Sequence, residues 1–222
     1  MSSSVIQLLV LAGVAIFLIL RLKDVLGTRG GFEKRTDPKA LDPATDPVSR
    51  RGLEVIDGGP DADITDHVPE GSPAAQALAA MKGAEPGFNV TDFLRGARAA
   101  YEQILKAFDQ GALDEIVPFL SRDVYESFQQ VVEGRETKGL TIKSNFIGVR
   151  ELVLSNATFD RATGEAEMVI RFVGELTSTT RNSAGEIVEG SPTEAKRQKD
   201  IWTFARRMGA DNPNWQLVAT GE

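Results

Sequence analysis

The chain has 222 residues, a formal net charge of −7, one histidine and no cysteine. Without cysteine there is no disulfide framework, no thiol nucleophile and no thiolate zinc site, and His67 alone cannot supply a histidine-based triad or metal cluster. The length admits one or two domains, and the composition of the first 71 residues leaves only one core of ordinary size.

Val5–Leu20, VIQLLVLAGVAIFLIL, is an almost unbroken apolar run. As a helix it reaches about 30 Å between Ser3 and Leu22, which predicts a transmembrane anchor over residues 1–22. The opening MSSS has no basic leader and the run exits into Arg21 and Lys23, so retention is expected over cleavage. Residues 23–35 form a basic juxtamembrane collar in which Arg29, Lys34 and Arg35 follow those two. The positive-inside rule then puts the N-terminus outside and the rest of the chain in the cytoplasm.

Residues 36–71 hold nine acids against three bases, with five prolines and few large apolar side chains. Such a stretch cannot offset its conformational entropy and is expected to be a disordered acidic linker, with His67 a solvated part of it. Residues 72–88 read as a short helix and connection, with Ser72 as N-cap, Pro73 at the first position and Gly83 at the end.

Residues 89–222 are the expected folded domain. Asn89 or Thr91 caps a long amphipathic helix whose apolar positions Phe93, Ala97, Tyr101, Ile104 and Phe108 step by three and four. A second helix is expected from about Leu113 to Leu120, bent or shortened by Pro118, and a third after Ser121. From Lys143 the period changes to two: Phe146–Phe159, Glu165–Thr180, Thr193–Arg207 and Asn214–Thr220 read as strands, separated by turn-forming residues. Helices first and strands afterwards predict an α+β domain with a four-stranded antiparallel meander.

Three patterns in that order resemble the Tim44-like family, including its bacterial TimA branch. They are Phe88-Asn89-Val90-Thr91-Asp92-Phe93-Leu94 with the helix it opens, Ser121-x-x-Val124-Tyr125-x-x-Phe128, and Asp200-Ile201-Trp202-Thr203-Phe204-Ala205-Arg206 with Asn212-Pro213-Asn214-Trp215. The resemblance implies a cone-like domain of the nuclear-transport-factor-two type, in which a curved sheet wraps a long helix. It also implies an adaptor at the bacterial inner membrane, with anionic lipid and translocase or chaperone components as partners. The chain departs from the mitochondrial member in having an anchor and in lacking its long charged N-terminal region.

The function expected is a non-enzymatic membrane-anchored adaptor, without cofactor or metal. Arg95, Arg98 and Lys106 on the long helix are its candidate lipid-facing residues. The alternative is a cone-fold enzyme or small-ligand-binding protein, for which Tyr101, Tyr125, Arg171 and Trp202 are the pocket candidates and Glu151 and Asp200 the accompanying carboxylates. Trp and Phe alternating along a strand are more often core, so Trp202 and Phe204 are expected as one face of the third strand, packing with Phe172 or the long helix. No basic stripe with interleaved aromatics appears, so nucleic acid is not an expected partner.

Overall fold

A computed structural model describes residues 60–221. The expected anchor, the collar and the linker up to residue 59 lie outside the described residues. No helix among the described residues is long and apolar enough to cross a membrane.

Four α-helices and four strands follow one another among the described residues: α1 Ala62–Thr65, α2 Pro73–Ala84, α3 Val90–Gln110, α4 Arg122–Thr137, β1 Thr141–Phe159, β2 Glu165–Arg181, β3 Ile187–Arg207 and β4 Gln216–Gly221. The α+β order and the antiparallel meander β1-β2-β3-β4 are as expected.

α3 is the core element. Its N-cap is Asn89, whose side chain accepts the Asp92 N–H at 2.9 Å, and it ends on Gly111, whose φ of 72° only glycine adopts cheaply. Val90, Phe93, Leu94, Ala97, Tyr101, Ile104 and Ala107 are its buried stripe. That stripe meets the inner face of the sheet, where Ala166, Met168, Ile170 and Phe172 of β2 are completely buried, as the alternation of β2 predicts. Trp202 and Phe204 continue the face on β3, with ring centroids 5.7 Å from Phe172 and 6.1 Å from Phe93 respectively.

The sheet is bent by bulges. Ile147, Arg150 and Ser155 are extra residues in β1 against β2, and Pro192–Ala195 stand opposite the single Thr177. Each inserts backbone on one side of the ladder and so curves it. Ile147 and Val188, two exposed large apolar residues, sit at such irregularities, which is why they escape the alternation.

Three expectations are corrected. The stretch Leu113–Leu120 is two 3₁₀ turns, Leu113–Glu115 and Val117–Phe119, because Pro118 has no N–H to continue an α-helical ladder. β1 and β3 start earlier than the hydrophobic pattern suggests, at Thr141 and Ile187, where they extend beyond the helices with mostly polar side chains. Residues 60–71, expected as the end of the linker, are built into the domain: Ile64 and Val68 are buried, and Asp63 Oδ2 and Oδ1 accept the Val90 and Thr91 N–H groups at 2.8 and 2.9 Å. Lys82 completes this staple at 2.7 Å from both Asp61 and Asp63. His67 joins it, with Nε2 3.1 Å from Thr91 Oγ1, and is not merely solvated.

Candidate functional site

β1, β2 and β3 run past the end of α3, and the space between their inner faces and the last turns of that helix is a cleft of about 1020 Å³. Its apolar part comes from Leu105 and Phe108 of α3 and from Phe146 and Leu176 of the sheet. Register explains the rest. Ser144 pairs with Ser178, Ile142 with Thr180 and Leu176 with Lys196, so hydroxyls and a lysine continue the face that on β2 is apolar from Phe172 to Ala166.

Gln198, also on the wall, connects the cleft to the core. Its Nε2 donates to Asp200 Oδ1 at 3.0 Å, while Tyr101 Oη donates to Asp200 Oδ2 at 2.5 Å. Tyr101 has no exposed surface, stacks on Phe172 with centroids 4.3 Å apart, and approaches Gly174 closely. Burial, and then the Asp200 carboxyl beside it, push the Tyr101 hydroxyl far above the usual phenol range. Tyr101 therefore acts as a hydrogen-bond donor and not as a titrating base.

On the helical wall, burial raises Asp109 above the usual carboxylate value, partly offset by a hydrogen bond with Ser144 and by the charge of Arg135. Burial likewise lowers Arg135, against the opposing pull of Asp109. The Arg135 guanidinium lies 4.2 Å over the Phe108 ring and donates to the Phe108 carbonyl at 3.1 Å, closing the C-terminal turn of α3.

The pocket candidates are not brought together at this cleft. Tyr101 and Trp202 do meet, at 4.7 Å between rings, but inside the sealed core, where Trp202 packs on Phe172 as its core reading expects, and neither lines the cleft. Tyr125 is half-buried against the core from α4 and does not line the cleft. Arg171 lies on the opposite face from Ile170 and Phe172 and forms a 2.6 Å ion pair with Glu151, which leaves neither for the pocket. All three lipid-facing candidates are exposed on α3. Arg95 pairs with Asp92 at 2.9 Å, and Arg98 donates to the Val149 carbonyl at 3.2 Å. Lys106, about 12 Å further along the axis than Arg98, stands at the cleft.

The residues that do build the cleft, Ser144, Ser178, Lys196 and Gln198 with Asp109, carried no local signal. Each is an ordinary polar position of a strand or helix, and only the strand register sets them on one wall. Arg206 is a similar case. It donates to Glu85 at 2.7 Å and to the Pro213 carbonyl at 3.2 Å, while the Gly209 N–H donates to Glu85 at 2.9 Å. The Gly209 amide, with Arg206, holds the Glu85 carboxyl below its usual value despite burial. This clamp ties the end of α2 to the β3–β4 connection.

The profile of the Tim44-like domain family matches residues 74–222. The human mitochondrial import inner membrane translocase subunit TIM44 is 23% identical over 147 residues, covering 65% of this chain. The matched stretch spans 32% of the length of that relative. Among solved structures, the intermembrane space region of the chloroplast protein ARC6 aligns at 13% identity with a TM-score of 0.40, over 58% of this chain and 94% of that one.

Proposed function

Because the chain belongs to the Tim44-like domain family, we propose that it works in protein translocation as a membrane-tethered, non-enzymatic adaptor. The family match over most of the described domain is the observation that carries this reading, and the translocase named in the human relative supports it. The apolar run Val5–Leu20 and its basic flank support a tether at a bacterial inner membrane, with the domain on the cytoplasmic side. We place the chain in the TimA branch on the same grounds, and take the sheet bent around α3 as the nuclear-transport-factor-two-like cone. The partners are translocase or chaperone components and, through Arg95, Arg98 and Lys106, anionic headgroups. The sealing of Tyr101 and Asp200 in the core supports an adaptor over an acid–base enzyme.

Chemical cross-linking in intact membranes followed by purification tests the reading: translocase or chaperone subunits should be captured. Capture restricted to enzymes of small-molecule metabolism would overturn it. A reporter fused after Glu222 should be active in the cytoplasm, and periplasmic alkaline phosphatase activity there would reverse the topology. Residues 60–222, without the apolar run, should also float with cardiolipin-rich vesicles more strongly at low salt than their Arg95→Glu/Arg98→Glu variant. Equal flotation removes the lipid contact from the proposal.

A further inference from the structure

We propose that the open edge of β3 at Lys196–Asp200 takes up an extended acidic segment of another protein by strand addition. β4 pairs with β3 only from Ile201 to Ala205, so among the described residues no strand lies on that side of Lys196–Asp200. A strand edge presents backbone donors and acceptors that an added strand satisfies. This edge is a bounded window. β4 closes one end at Ile201, and at the other the Pro192–Ala195 bulge interrupts the ladder, with a proline that has no N–H to give.

The side chains in the window specify the charge of the occupant. Lys196, Arg197 and Lys199 are exposed, and none of them takes part in an ion pair among the described residues. Arg197 and Lys199, two residues apart, share one face of the strand and Lys196 and Gln198 the other, and all four border the cleft. An incoming strand with carboxylates two residues apart therefore sets both beside Arg197 and Lys199. Its intervening side chains then lie on the face of Lys196 and Gln198, beside those two residues at the border of the cleft. The nearby acids do not cancel this field: Asp200 is engaged by Tyr101 and Gln198, Glu175, opposite Arg197 in the ladder, is paired with Arg150, and Glu194 stands outside the window in the bulge. The β1 edge of a second copy is a poor occupant, because it is broken by three bulges and carries Lys143 and Arg150. The inference stands on the sheet edge and goes beyond the translocation reading.

The test is fluorescence anisotropy on the full chain in a neutral detergent, with a labelled peptide of alternating Glu and Val. Saturable binding is expected, weakened about tenfold in Arg197→Glu/Lys199→Glu. The same peptide N-methylated at every amide keeps every charge but has no N–H to give from either edge, and it should not bind. This second peptide decides the matter on the unaltered chain even where the double variant fails to fold. Absence of binding by the parent peptide, undiminished binding by the folded variant, or equal binding of the N-methylated peptide would each overturn the proposal.

Discussion

A β-carbon at Gly174 would stand 2.7 Å from the Tyr101 hydroxyl oxygen and 3.2 Å from its ring. The ring is pinned by Phe172 on one side and by Trp202 on another, so it cannot retreat without disturbing the core. Gly174→Ala should therefore destabilise the domain by about 1–3 kcal/mol in urea denaturation; an unchanged midpoint would show that the ring yields freely. Tyr101→Phe removes the donor to Asp200 and leaves only Gln198 on a buried carboxyl, at an expected cost of about 1–3 kcal/mol. Tyr125→Phe keeps a half-buried ring and should stay within about 0.5 kcal/mol of the parent. If the two tyrosine variants lose equal stability, the Tyr101–Asp200 bond is not the stabilising contact.

At the scale of elements, the N-terminus of α3 is satisfied from outside the helix. Asp63 accepts from two of its free N–H groups and also from the Thr91 hydroxyl at 2.8 Å, and Lys82 neutralises the carboxylate. Burial alone would raise the Asp63 carboxyl, but the Lys82 hydrogen bond, the Val90 and Thr91 amides and the Thr91 hydroxyl outweigh it and hold it well below the ordinary 3.8. The unfolded chain then binds this proton more readily than the folded one. The contribution is fully present above the unfolded value and is lost as pH falls through the folded one. Asp63→Asn should cost about 1–2 kcal/mol at neutral pH, as expected for a cap combined with a helix-dipole contact. The gap between parent and variant should narrow once the pH drops below about 4. A gap that stays constant down to the acid transition would mean that the hydrogen-bond geometry, and not the charge, holds the helix end.

For the whole molecule, the boundary of the folded unit moves toward the N-terminus. With Ile64 and Val68 buried and Asp61 and Asp63 paired to Lys82, limited proteolysis should leave a resistant fragment that retains Asp61–Gly71. A stable core beginning after Gly71, identified by N-terminal sequencing, would show that the staple is not part of the cooperative unit. The clamp of Arg206, Glu85 and Gly209 works at the same scale, joining the second helix to the far end of the sheet. Glu85→Gln should lower the thermal midpoint more than a substitution of the exposed Glu102, because Arg206 is almost fully buried and would lose its neutralising partner.

Sequence alone was enough wherever structure follows from spacing. The three-and-four steps from Phe93 to Phe108 define a buried helix stripe, and the alternation from Ala166 to Phe172 defines a sheet face. Asn89, Ser72 and Ser121 act as caps because their side chains reach the backbone beside them. These are properties of a few consecutive residues, independent of what lies across the fold. Tertiary structure decided the rest. Asp61–Asp66 has the composition of a linker, and its order comes from Lys82 and the free amides of α3, partners about twenty to thirty positions away. The outer halves of β1 and β3 are polar and become strands through pairing with β2. Tyr101 and Trp202 look the same in sequence whether they line a pocket or fill a core; Asp200, Phe172 and Gly174 place them in the core. The cleft exists because the strands outrun the helix, and which side chains line it depends on bulges that reset the register, a cross-strand property that no local pattern encodes.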